Sequence, residues 1–143
     1  MGTWVLVADG SRARLLNREK NRSLTEVEAF VCPEERLREQ DLTSDRGGRS
    51  FDSKGGGRHA MEPATSQQEQ LAIEFAKELA ERLDELRNSG AMDRLVLIAA
   101  PAFLGHLRSK ISGETRHLIA LAIDKDLSRH TLAEIADHIP AVL

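Results

Sequence analysis

The sequence predicts a three-layer α/β fold, a mixed five-stranded sheet in spatial order 3-2-1-4-5 with flanking helices. Three observations carry this. Two short apolar runs, TWVLVA at Thr3–Ala8 and RLVLIAA at Arg94–Ala100, suit strands buried on both faces. The first run leads into two further strand-like segments joined by short turns. The second belongs to a stretch in which strands alternate with helices.

Along the chain, Thr3–Ala8 stops at the Asp9-Gly10 turn signal, and Ser11–Glu19 and Leu24–Val31 complete an antiparallel meander. Ser66–Asn88 reads as the clearest helix. Thr65-x-x-Gln68 and Ser66-x-x-Glu69 are capping-box patterns, and Gly90 follows its end. Leu71, Phe75, Leu79, Leu83 and Leu86 give that helix one apolar stripe, with Lys77, Glu78, Glu81, Asp84 and Glu85 on a solvated face. Pro101 suits the first turn of a helix that buries Phe103, Leu104, Leu107 and Ile111 and stops at Ser112-Gly113. His117–Ile123 reads as a third buried strand, and Thr131-x-x-Glu134 caps a short last helix carrying Leu132, Ile135 and Ile139. The order β-β-β-α-β-α-β-α, with right-handed crossovers, closes most simply with the first strand beside the fourth. That is the layout of a ribonuclease-H-like sheet.

Composition sets bounds. The 143 residues fit one domain, spanning 1–143, and 41% hydrophobic residues suffice for a core. Aromatics are 3%, so the core is aliphatic and a base-stacking platform is disfavoured. A net charge of −3 excludes a generally basic nucleic-acid binder but leaves a local basic patch open. The single cysteine, Cys32, excludes an internal disulfide and reads as a buried thiol in a reducing compartment. The N-terminus lacks the pattern of a signal peptide, and no apolar run is long enough to span a membrane. The expectation is a cytoplasmic protein.

The anomaly is the polar loop at about 43–63, whose segment Gly47–Pro63 reads GGRSFDSKGGGRHAMEP. Five of the ten glycines fall within the 11 residues Gly47–Gly57. Arg46, Arg49, Lys54 and Arg58 stand against Asp45, Asp52 and Glu62, a net of +1, with the acids flanking a basic centre. Glycines permit close backbone approach, and arginines with bare amides suit phosphate. A solvated loop without a partner is the plainer alternative.

Templates for chemistry mostly fail. A two-metal nuclease needs converging carboxylates. Asp9 is suitably placed, but Ala99-Ala100-Pro101 stands where a second ligand is wanted, so Asp9 reads as a turn residue. SKGGG has its lysine ahead of the glycines, unlike a phosphate-cradling loop, and no dinucleotide fingerprint, G-x-S-x-G elbow or HxxxH spacing occurs. No cofactor and no metal are expected. Of five histidines, His59 stands out because it lies in the glycine loop.

TWVLVADGSRARLL, GGRSFDSKGGGRHAMEP and LVLIAAPAFLGHLRSKI running on to IALAIDKDLS together resemble the bacterial host-attachment protein family, described as required for attachment to host cells. The resemblance runs from Thr3 to about Ser128, with APAFLGHLR and DKDLS its more specific parts. That family is in turn similar to the central domain of archaeal and eukaryotic peptide-chain release factors. The resemblance implies a ribonuclease-H-like sheet without nuclease carboxylates, and a loop between the third strand and the long helix that in release factors carries a catalytic Gly-Gly-Gln tip. Here the matching residues are Gly55-Gly56-Gly57-Arg58-His59, with no glutamine. The resemblance therefore implies a non-catalytic or weakly catalytic domain that binds ribosome or tRNA through Arg46, Arg49, Lys54, Gly55, Gly56, Gly57, Arg58 and His59. Two alternatives stand beside it. One is an interaction protein in host attachment, with the loop contacting a protein partner. The other is a peptidyl-tRNA hydrolase with His59 as candidate general base. A homo-oligomer is left open.

Overall fold

A computed structural model describes residues 2–32 and 64–143. Three strands come first: β1 (Thr3–Ala8), β2 (Arg12–Arg18) and β3 (Leu24–Val31). Then follow α1 (Ala64–Asn88), β4 (Arg94–Ala99), α2 (Pro101–Lys110), α3 (Gly113–Arg116), β5 (Ile119–Ile123) and α4 (Leu132–Asp137). The sheet order is β3-β2-β1-β4-β5, as the sequence predicts. β1 pairs antiparallel with β2 and parallel with β4, and β4 pairs parallel with β5.

The apolar runs of β1 and β4 lie side by side in register, Val5 beside Val96 and Leu6 beside Leu97. Their side chains alternate between two cores. Leu6, Ala8, Leu95, Leu97 and Ala99 meet Phe75, Leu79 and Leu83 of α1 and Phe103 and Leu107 of α2. Val5, Val7, Val96 and Ile98 meet Leu127, Ile135 and Ile139 from α4 and its flanks on the other face. Layers on both faces are what continuously apolar strands require. Phe75 is wholly buried and stacks obliquely on Phe103, ring centres 5.8 Å apart, which fixes α1 against α2. Cys32 is buried, as its composition suggests.

α1 ends on a Schellman motif. Gly90 has φ of +83°, its N–H donates to the Arg87 carbonyl and the Ala91 N–H to that of Leu86. Trp4 Nε1 donates to the Ala91 carbonyl at 2.9 Å, pinning the start of β1 to the same turn. At the other end α1 starts at Ala64, so Thr65 and Ser66 lie inside the helix and not at its cap.

Three further features depart from expectation. A four-residue helix, α3, lies where Ser112-Gly113 reads as a plain stop. The Ser112 side chain caps it, accepting from the Thr115 N–H. β5 is only half-buried, with Ala120 exposed, because it is an edge strand of the sheet. Both edges also carry a register shift, at Val27 in β3 and at Ala120 in β5, and each extra residue is exposed.

A polar chain joins α1 to α3. Arg87 Nε donates to Thr115 Oγ1 at 3.0 Å, Thr115 donates on to Asp84 Oδ1, and Ser112 Oγ donates to the same oxygen at 2.8 Å. Thr115 is fully buried, so losing its hydroxyl leaves groups without partners and little room for water. Thr115→Val, near in shape, is expected to lower stability by about 1–3 kcal/mol in urea unfolding. A change near zero would show that the network contributes nothing.

α4 begins on a complete capping box, Thr131 with Glu134. The Thr131 backbone N–H holds the Glu134 pKa below the ordinary carboxylate value, with the Thr131 hydroxyl adding to it. A lowered folded-state pKa stabilises the protein above the unfolded carboxylate range, and the contribution disappears as pH falls through the folded value. Glu134→Gln should therefore flatten part of the acid limb of a Tm-versus-pH curve while leaving its shape above about pH 6 unchanged. An acid limb identical to wild type would remove this role.

Candidate functional site at the carboxyl ends of β1 and β4

Asp9 ends β1. Its Oδ1 accepts from the Ser11 N–H at 2.7 Å and the Arg12 N–H at 2.9 Å, which makes it the turn residue expected from the Asp9-Gly10 pair. Its Oδ2 accepts from Ser128 Oγ at 2.8 Å. That hydroxyl also lies 2.7 Å from Asp126 Oδ1, so its one proton serves one carboxylate at a time. Asp9 thus joins the β1–β2 turn to the segment after β5. β4, beside it, ends in Ala99 and Ala100. Among the described residues no group of three or more His, Cys, Asp or Glu side chains could hold a metal ion.

A groove of about 370 Å³ opens above these strand ends. Gly10, Ala72, Ala100, Ala102 and Phe103 form its apolar walls, and Gln68, Glu69 and His106 its polar lining. α1 contributes Gln68, Glu69 and Ala72 from its first turns, and α2 contributes Ala102, Phe103 and His106 from its own. The groove follows from α1 and α2 both beginning at this end of the sheet. His106 is half-buried and meets Phe103 edge-on at 6.4 Å and 84°. A second, more polar groove of about 380 Å³ lies across α2, lined by Pro101, Leu104, Gly105, Arg108, Ala122 and Asp124.

The predicted binding residues Arg46, Arg49, Lys54, Gly55, Gly56, Gly57, Arg58 and His59 lie outside the described residues. Their position in the chain is fixed at both ends. β3 finishes at Val31 and α1 starts at Ala64, four residues before Gln68 of the first groove. Gln68, Glu69 and His106 were not predicted as site residues. Gln68 and Glu69 match a cap pattern, and His106 shows itself only through its spacing of three from Phe103 on a helix that directly follows a buried strand.

The sheet order and the helices on both faces define a ribonuclease-H-like α/β fold. The chain belongs to the family described as "Protein required for attachment to host cells", whose model matches residues 4–139. None of the curated proteins compared matches it. Among solved structures it is similar to an archaeal translation termination factor, aRF1, at a TM-score of 0.51 and 12% identity. The match covers 98% of this chain and 35% of that one, so this chain spans about a third of the factor's length.

Asp9→Ala removes three accepted hydrogen bonds and should cost about 1–3 kcal/mol in chemical unfolding. Because the carboxylate is engaged in the turn, millimolar Mg²⁺ should leave the wild-type Tm unchanged. A Mg²⁺-induced rise that Asp9→Asn abolishes would instead make Asp9 a metal ligand.

Proposed function

We propose that this chain is a single domain that binds the ribosome or tRNA through the basic glycine-rich segment around Gly47–Pro63, without an efficient catalytic step of its own. The observation that carries the reading is the place of that segment. It joins β3 to the long helix α1 of a fold shared with a translation termination factor. That factor acts in translation, and the segment is the part of this chain richest in glycine, with Arg49, Lys54 and Arg58 set among the glycines.

The proposed contacts are electrostatic. Arg46, Arg49, Lys54 and Arg58 meet phosphate, and Gly55, Gly56 and Gly57 let the backbone come close to the RNA. Arg58 and His59 occupy the place at which a hydrolytic tip would need its glutamine, which is why binding without efficient hydrolysis is the reading preferred. With one Trp and no Tyr in the chain, base stacking contributes little, and recognition is expected to follow shape and backbone.

Co-sedimentation with ribosomes at low and moderate salt tests the proposal. Wild type should pellet with ribosomes at low salt and be released as salt rises. Changing Arg46, Arg49, Lys54 and Arg58 together to Ala should weaken association by about tenfold or more. Absence of association at low salt, or binding indifferent to the four changes, would sink the reading and leave a protein partner as the occupant of the segment. Release of labelled peptide from peptidyl-tRNA by wild type but not by His59→Ala would replace binding with hydrolysis.

A further inference from the structure

We infer a second phosphate-contacting surface at the opposite end of the molecule, the edge formed by the amino ends of β1, β4 and β5. It rests on the RNA-binding reading for the class of its partner, and on the described structure for its location.

The topology gathers cations there. Arg18 and Arg94 are the two strand partners of Thr3, on either side of it. Two inter-strand spacings separate them, roughly 10 Å. Lys20 and Arg22 sit in the turn that leaves β2 beside Arg18. α2 and α3 return the chain from the carboxyl end of β4 to the amino end of β5, and they place Lys110 and Arg116 at this same end. Lys20, Arg22, Arg94, Lys110 and Arg116 are exposed, and Arg18 is half-buried. Glu19, Asp93 and Glu114 are interspersed among these six cations, and Asp84 lies beside them, tied to Arg87, Ser112 and Thr115, so the edge is cationic on a chain of net charge −3. The other end of the sheet carries Asp9, Asp124 and Asp126 balanced by Arg12, Lys125 and Arg129.

The pairing pattern separates these cations from Arg14, Arg82 and Arg87, while the scattered cations Lys77, Arg108, Lys125 and Arg129 share their lack of a carboxylate partner among the described residues. Arg14, Arg82 and Arg87 are ion-paired, with Glu26, with Glu28 and Glu85, and with Asp84. Among the described residues none of the six edge cations pairs with a carboxylate. Arg18 and Arg116 instead donate to backbone carbonyls, Arg18 to Pro140 at 2.7 Å and Arg116 to Arg108 at 2.7 Å. Both guanidiniums are thereby held in place without being neutralised.

Arg22 adds an independent sign. Its φ is +71°, and it is the one described non-glycine residue with positive φ. Glycine and asparagine enter this region far more readily than arginine. Asn21 is the immediately preceding residue, and its side chain accepts from the Ser23 N–H. The turn therefore holds a long cation at a position where a smaller residue folds more easily. A binding role for the charge accounts for that choice, in line with backbone outliers gathering at functional positions.

The chemistry favours an RNA backbone over a lipid surface. A membrane-docking face needs apolar groups beneath its cations. The described large hydrophobics that are exposed are Val27 and Val142, and only Val142 lies near this edge, beside the carbonyls that hold Arg18. One valine does not make an inserting face. Cations without aromatic neighbours suit phosphates and carry no base readout.

The test uses the full chain and fluorescently labelled tRNA, with affinity followed against salt. The first variant combines Lys20→Gln, Arg94→Gln and Lys110→Gln, none of whose side chains makes a hydrogen bond among the described residues. It should lower the slope of log K against log salt by about two and weaken binding at 0.1 M salt by about tenfold or more. Arg22→Asn should weaken binding while its Tm stays level or rises, which loss of fold could not produce. An unchanged slope in the first variant, with the loop variant still defective, overturns this surface alone. Wild type that binds neither tRNA nor ribosomes overturns the functional reading and this inference with it. Capture by phosphatidylserine vesicles in place of tRNA, dependent on the same residues, assigns the edge to a membrane and overturns it too.

Discussion

The parallel pairing of β1 with β4 is the constraint on which the rest depends. From Trp4 to Ala8 and from Leu95 to Ala99 every residue is buried, so both faces of this strand pair must be covered. That requirement brings α1 and α2 to one face and α4 to the other. Because β1 and β4 run the same way, α1 must begin at their carboxyl ends and finish at their amino ends. The connection from β3 to α1 is thus rooted above the carboxyl ends, where the groove of Gly10, Ala72 and Phe103 also lies. Position of the site follows from burial of aliphatic side chains, with no polar interaction needed to specify it.

Much of this was legible in the sequence, for identifiable reasons. TWVLVA and RLVLIAA are too apolar for a half-solvated strand, and the leucines of α1 recur at helical spacing. Gly90 marks the helix end because its positive φ is one that glycine adopts without strain. What escaped depends on neighbours. Apolar composition alone does not show that β5 is an edge, so IALAI reads as buried although Ala120 is exposed. α3 is held by a cap within it and by Asp84 and Arg87 of another helix, a network invisible to local pattern. The groove residues Gln68, Glu69 and His106 come from two helices that are distant in sequence, and each has an adequate local explanation as a cap or surface residue. The glycine loop is the reverse case: its composition is conspicuous in the sequence, and it lies outside the described residues.

The edges and ends of the sheet differ in what they can recognise. An open edge strand invites another strand to pair, and here both edges are broken by a bulge, at Val27 and at Ala120. In β3 the flanking residues Glu26 and Glu28 are moreover tied to Arg14 and Arg82. Interruption of the ladder and fixed charge beside it both oppose strand addition, so a protein partner that docks by extending this sheet is disfavoured. The ends carry no such obstruction. One bears the root of the glycine-rich connection with two grooves, and the other a row of cations that have no carboxylate partner among the described residues, around an arginine in left-handed conformation. A long polyanion meeting both ends would contact backbone and guanidinium groups without entering the core or disturbing the β1–β4 pair. A fold whose interior is aliphatic and whose edges are blunted leaves its two ends as the surfaces for recognition.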